Sequence, residues 1–173
     1  MTGANGRNVE QNWPILCRVL NLWGIDSPAE CVGVIGTIAV ETGSFAPLRE
    51  AYWLSEAARN AEYAKRGYGI WHGRGFVQLT WESNYQQERR NIRDKTGLDF
   101  PIDETPDLAL DPEVAAHCLA SYFVRRGVAE AARSLDWAAV RVRVYGGQDA
   151  PGTAKIRFAA ERLLPLARDR GFL

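Results

Sequence analysis

The amino-acid sequence predicts a mainly α-helical protein, and three observations carry that expectation. Apolar residues recur at helical spacing through most of the 173 positions. Helix-start signals, above all Ser27-Pro28-Ala29-Glu30 and Asp111-Pro112-Glu113, stand just ahead of those stretches. The alternation of apolar and polar residues that marks half-buried strands is confined to isolated doublets.

Taken in order, Trp13 to Leu22 has apolar residues at 13, 16, 20 and 23, one face of a helix. Ser27 to Glu30 reads as a capping box with proline at the first helical position. It opens a run, Cys31 to Val40, that is apolar on nearly every side and therefore belongs in the middle of a core. Glu41 closes the run, and Gly43 with Pro47 forbids its continuation. Ser55-Glu56 starts an amphipathic stretch through Lys65, and Gly67, Gly69, Gly73 and Gly75 then form a glycine-dense, aromatic-studded loop.

Helical spacing returns from Phe76 to Ile92, and the polar, proline-containing segment Thr96 to Thr105 reads as a surface connection. Asp111-Pro112-Glu113 opens a long helix to about Gly127. Ser134-Leu135-Asp136 opens the next, which stops at Gly146-Gly147, and a last helix runs from about Gly152 to Arg168. No internal repeat interrupts this order, and the length suits one domain, residues 1–173, with a sizeable core.

Bulk chemistry narrows the function classes. An apolar fraction of 46% beside a charged fraction of 24% is that of an ordinary globular protein. Zero formal net charge gives no basic field for nucleic acid or a membrane surface. No stretch approaches the roughly 18 apolar residues of a membrane span. The opening Met1-Thr2-Gly3-Ala4-Asn5-Gly6-Arg7-Asn8 has no apolar core of signal-peptide length, so a cytoplasmic product without its own export signal is expected. Cys17, Cys31 and Cys118 are odd in number and fall in predicted helices, which favours buried free thiols. His72, His117 and the cysteines lack zinc-site spacing, so a core role is expected for them and no metal or other cofactor is implied.

Carboxylates carry the chemistry. Glu41 sits at the C-terminal end of a helix, unfavourably placed against the macrodipole, with apolar Ala39, Val40 and Phe45 around it. Burial and the negative helix end both raise a carboxyl pKa, which suits a general acid; an ordinary surface glutamate ending a helix is the alternative. Glu50 is its natural partner. On one continuous helix the two would lie about 13 Å apart, too far for glycosidic-bond cleavage. The break at Gly43 and Pro47 lets the chain fold back and bring Glu50 across a cleft, with Arg49 as its neutralising neighbour or simply its surface partner. Glu56 and Glu62 are rival second carboxylates on what looks like an exposed helical face.

The Gly73-Arg74-Gly75 turn would let Gln78 and Thr80 point into the same cleft, where the Thr80 hydroxyl could hold a water; both could equally be polar positions of a surface helix. Trp53, Trp71, Trp81, Tyr52, Tyr68 and Tyr85 crowd the same region, either as stacking platforms for sugar rings or as core. The pattern points to hydrolysis of a polysaccharide.

Glu41-Thr42-Gly43-Ser44-Phe45, Glu50, and Gly73 to Thr80 with Asn84-Tyr85 resemble the family 19 glycoside hydrolases, which include plant and bacterial chitinases and many bacteriophage endolysins. Arg143-Val144-Tyr145-Gly146-Gly147 looks like that family's Asn-Gly-Gly segment, and the resemblance spans roughly residues 30 to 165. It implies a lysozyme-like, two-lobed helical domain with a catalytic cleft between the lobes. It implies Glu41 as general acid, Glu50 as general base and Thr80 as holder of the nucleophilic water. It implies Gln78 and Asn84 as sugar contacts, and Arg74, Tyr85, Trp81 and Tyr145 are expected to join them in binding substrate.

Three departures stand out. Val40 replaces the histidine of the plant enzymes, the two glutamates are closer in sequence, and Tyr145 stands where the family usually has asparagine. The short spacing resembles the bacterial and phage branch. That branch implies a monomeric endolysin acting on peptidoglycan after a holin opens the inner membrane. A chitinase, a lytic transglycosylase and a non-catalytic wall-binding module are the competing readings.

Overall fold

A computed structural model describes residues 4–147 and 150–170. It is mainly α: the described residues form eight α-helices and one two-stranded sheet. The opening residues Met1, Thr2 and Gly3 of the N-terminal stretch lie outside the described residues.

Helix α1, Ala4–Leu22, starts well before Trp13 and runs through Pro14. Pro14 and Glu10, whose carbonyl loses its helical donor, both lie on the exposed side, so the interruption is tolerated there. Three asparagines on one face of this extension bind the chain beyond Glu41. Asn5, Asn8 and Asn12 donate to the carbonyls of Gly43, Ser44 and Phe45 at 3.4, 2.7 and 3.0 Å.

Helix α2, Pro28–Glu41, begins with both arms of its capping box closed. The Glu30 amide donates to Ser27 Oγ at 3.3 Å, and the Ser27 amide donates to Glu30 Oε2 at 3.1 Å. The helix is buried on nearly every side and ends at Glu41, where the Thr42 and Gly43 amides both bond the Ile38 carbonyl.

Residues 42–81 hold little regular structure. Strand β1, Leu48–Arg49, pairs antiparallel with β2, Arg74–Gly75, Leu48 facing Gly75 and Arg49 facing Arg74. Between them lie α3, Glu56–Lys65, capped by Ser55, and a single 3-10 turn at Gly69–Trp71. The helical spacing from Phe76 misleads: helix α4 is Glu82–Thr96. Phe76, Val77 and Leu79 are buried from a tight turn in which Leu79 doubles back onto Arg74, their backbones exchanging hydrogen bonds of 3.2 and 2.8 Å. Gln78 and Trp81 take positive φ of 51° and 76°, which no helix contains.

Helix α5, Pro112–Arg125, is capped by Asp111, which accepts from the Glu113 and Val114 amides. A short helix α6, Val128–Arg133, follows Gly127 immediately. Helix α7, Trp137–Tyr145, is capped by Asp136, and α8 spans Thr153–Asp169. α2 is surrounded by α6, α7 and α8, and packs most extensively on α8. That closeness requires glycine: a Cβ on Gly36 would stand 3.1 Å from Ile156 Cα.

Leu16, Val34, Ile38, Phe76, Tyr85, Leu119, Phe123 and Ile156 are fully buried in one continuous core. The three cysteines are unpaired thiols, and burial pushes Cys31 up to about 11. No helix among the described residues is long and apolar enough to cross a membrane.

Candidate active site

Glu41, Glu50, Gln78, Thr80, Trp81, Asn84 and Tyr145 line one cavity of about 520 Å³. Glu41 reaches it from the C-terminal end of α2. Its Oε1 accepts from Arg141 Nη1, and Arg141, almost wholly buried on α7, also donates through Nε to the Pro151 carbonyl. Burial pushes the Glu41 carboxyl above its ordinary range, and the Arg141 charge and hydrogen bond only partly reverse that. The Arg141 guanidinium also lies 5.2 Å over the Tyr145 ring, so one cation joins two cavity residues.

Glu50 stands just past β1 and is tied to Gly73 twice. Its amide donates to the Gly73 carbonyl at 2.8 Å, and its Oε2 accepts from the Gly73 amide at 3.0 Å. Glycine at 73 leaves room for this: a Cβ there would stand 2.8 Å from Gln78 Oε1 and 3.1 Å from Glu50 Oε2 and would displace one of those side chains. Tyr63 of α3 is the other neighbour of Glu50; burial and that carboxylate together push its phenol up to about 12. Arg49, expected as the neutralising neighbour of Glu50, instead pairs with Asp107.

Gln78 donates to the carbonyls of Leu48 and Gly75 at 2.9 and 3.1 Å, so its amide bridges β1 and β2 as well as lining the cavity. The Thr80 hydroxyl gives its proton to the Gln78 carbonyl at 2.9 Å, which leaves its lone pairs to accept from a water. Asn84 has both ends of its amide engaged. It donates to the Thr80 carbonyl at 2.8 Å and accepts from Arg125 at 3.3 Å, while Arg125 is held at 2.6 Å by the buried carboxyl of Glu88.

Arg74 and Tyr85, expected to touch substrate, are buried and do not line the cavity. Arg74 donates to Asp107 at 2.8 Å and to the carbonyls of Ile70 and His72 at 2.7 and 3.0 Å. The Tyr85 hydroxyl donates to the same His72 carbonyl at 3.0 Å. Both pin the glycine-dense loop from behind. Partial burial works against ionisation of Asp107, yet the guanidiniums of Arg49 and Arg74 hold its carboxyl below the ordinary range.

The rival carboxylates lie elsewhere. Glu56 is exposed, Glu62 is paired with Arg66 at 3.1 Å, and neither lines the cavity. His72 and His117 are both buried. Among the described residues no group of three His, Cys, Asp or Glu side chains is placed to hold a metal ion.

Sequence reasoning missed Arg141, Tyr63, Tyr122 and Arg126, the last two of which line the cavity. A signal was available in helical register. Tyr122 and Arg126 are four apart at the end of one helix, and Arg141 and Tyr145 are four apart on another, so each pair shares a face. Nothing in the sequence announced that the Arg141 pair would close on Glu41, exactly one hundred positions earlier.

No protein-family model matches the chain, and no curated protein matches it.

Proposed function

We propose that the chain is a glycoside hydrolase that cuts β-1,4 bonds of peptidoglycan by an inverting acid–base mechanism. The observation that carries this reading is the unequal treatment of two carboxyls in one cavity. Glu41 is desolvated and raised in pKa, while Glu50 is oriented by a backbone amide and shares the cavity with a threonine whose lone pairs are available.

In this mechanism Glu41 keeps its proton on Oε2, because Arg141 occupies Oε1. That proton passes to the glycosidic oxygen as the bond to the anomeric carbon breaks. A water that donates to Thr80 attacks the same carbon from the opposite face and loses its other proton to Glu50. Trp81 and Tyr145, 48% and 56% exposed, offer ring faces to the sugars. The family 19 resemblance supports these roles and the two-lobed, lysozyme-like arrangement around the cavity. It also supports an endolysin that works as a monomer and reaches the wall after holin action.

The bond chosen is the muramidase bond. The short link between Glu41 and Glu50 leaves little loop to wall the cavity, so a strand branched by lactyl-peptides can enter. Mass spectrometry of digested wall decides it: new reducing ends at muramic acid are expected, with little hydrolysis of crystalline chitin. Reducing N-acetylglucosamine ends would make the enzyme a glucosaminidase, and 1,6-anhydro ends a transglycosylase. Efficient chitin turnover would favour the chitinase reading, and wall binding without any new ends would leave a binding module.

A further inference from the structure

Four arginines stand on or behind the α5 and α7 walls of the cavity, and three have carboxylate partners. Arg141 is taken by Glu41, Arg125 by Glu88 at 2.6 Å, and Arg143 faces Glu130 at 3.6 Å. Arg126 differs. It lines the cavity and is exposed, and it pairs with no carboxylate among the described residues. Its Nε donates to the Arg143 carbonyl at 3.3 Å, and its guanidinium lies 5.8 Å from the Tyr122 ring centroid. One edge of the fork is therefore anchored and the other is presented to the cavity.

We propose that Arg126 binds a carboxylate carried by the glycan strand and so selects acidic, substituted strands over neutral ones. The inference rests on the hydrolase reading above and adds to it the residue that reads the substituent. A guanidinium fork matches a carboxylate with two parallel hydrogen bonds, and a neutral polysaccharide gives that charge nothing to pair with. The cavity's own acids do not fill the role, because Glu41 is held by Arg141 and Glu50 by the Gly73 amide. Two sources supply the carboxylate: the lactyl group of a muramic residue stripped of its peptide, or the stem peptide itself.

The test uses soluble, uncrosslinked peptidoglycan strands in three forms: native, amidase-stripped so that the lactyl carboxylates are free, and chemically amidated so that every carboxylate is neutral. Reducing-end release is measured for wild type, Arg126→Gln and Arg126→Lys. Loss of one charge-assisted hydrogen-bonding partner should raise KM about tenfold in Arg126→Gln on the strands that carry the recognised carboxylate, native or stripped. The gap between wild type and Arg126→Gln should close on amidated strands and shrink as salt is added, and Arg126→Lys should recover part of it. A gap on stripped strands alone assigns the lactyl carboxylate, which native strands hold as an amide; a gap confined to native strands assigns the stem peptide, and a gap on both shows that Arg126 takes either carboxylate. An equal loss on all three strands, or no loss on any of them, overturns the inference while leaving the hydrolase reading intact. Absence of new ends from all three strands with wild type overturns that reading, and the inference with it.

Discussion

The two carboxylates of the cavity stand on opposite kinds of support. Glu41 ends a fourteen-residue helix surrounded by three others, and its partner Arg141 comes from a second helix. Glu50 emerges from a two-residue strand within residues 42–81, where four non-glycine residues, Phe45, Ala51, Gln78 and Trp81, take positive φ. The first is positioned by packing between helices. The second is positioned by a web of single hydrogen bonds, in which Arg74, Tyr85, Gln78 and the Asn5–Asn8–Asn12 face each hold one part of the loop. Residues in sparsely populated backbone regions persist only where their surroundings over-determine them. The contrast teaches that damage on the Glu41 side should act mainly through protonation, and damage on the Glu50 side mainly through geometry.

The largest effect separates the two roles. Glu41→Gln should abolish turnover, since the leaving oxygen loses its proton donor, and Glu50→Gln should cost roughly 10²–10⁴-fold. Both should keep their helical circular dichroism. Near wild-type activity in Glu50→Gln would remove the two-carboxylate mechanism.

Gly73→Ala tests geometry without touching either acid. The added Cβ collides with Gln78 Oε1 and crowds Glu50, so the Gln78 amide must shift and the carboxylate is pressed out of its place. A displacement of ångström scale costs on the order of 10²-fold, and kcat rather than KM should fall. Unchanged kcat in a folded variant would show that Gly73 does not set the position of Glu50.

Arg141→Met tests protonation on the other side. Arg141 lowers the Glu41 pKa against the rise caused by burial, so its removal raises that pKa further. Activity that needs protonated Glu41 is lost as pH rises through its pKa. The alkaline limb of the kcat profile should therefore move to higher pH in Arg141→Met, and a limb that stays in place would detach it from Glu41.

The smallest effect is one of stability. His72 supports the Glu50 side, its ring stacked on Tyr63 at 5.2 Å and its Nδ1 bonded to the Gly69 carbonyl at 3.2 Å. Burial, reinforced by Arg74, lowers its pKa from 6.5 to about 4. Between pH 6.5 and 4 the unfolded chain therefore binds the extra proton, and stability falls as pH drops through that window. Buried Glu41 and Glu88, whose pKa values are raised, act in the opposite sense on the acid side. In His72→Phe the stacking is kept and the titration is gone. The variant should be slightly less stable at neutral pH, and the difference from wild type should narrow as pH falls in denaturant titrations. A constant difference across the window would show that His72 does not titrate this way.

The two regions also differed in how far they could be read in advance. The capping box at Ser27 and the caps at Ser55, Asp111 and Asp136 are local signals, and the helices they open begin where those residues stand. Phe76, Val77, Leu79 and Tyr85 mimic a helical face, yet the first three are buried by a turn whose shape comes from contacts with β1 and α5. Helical spacing marks the first helix only from Trp13, because its N-terminal extension is held by asparagines that bind carbonyls more than thirty positions away. Arg74 and Tyr85 looked like ligand contacts because polar groups beside a glycine turn serve equally well to brace it.

The glycine contact between α2 and α8 reaches further than packing. Gly36 brings Ile156 against the helix that ends in Glu41, and α8 is entered from Pro151 and Gly152. The Pro151 carbonyl receives the Arg141 guanidinium, and Gly152 sits against Val40. A chain cut ahead of Thr153 would keep every residue that lines the cavity, and Pro151 with them, yet lose the helix that holds Pro151 against the acid's counter-ion. The last helix is thus a distant adjuster of proton affinity, and a shifted Glu41 titration in such a truncation would register its absence.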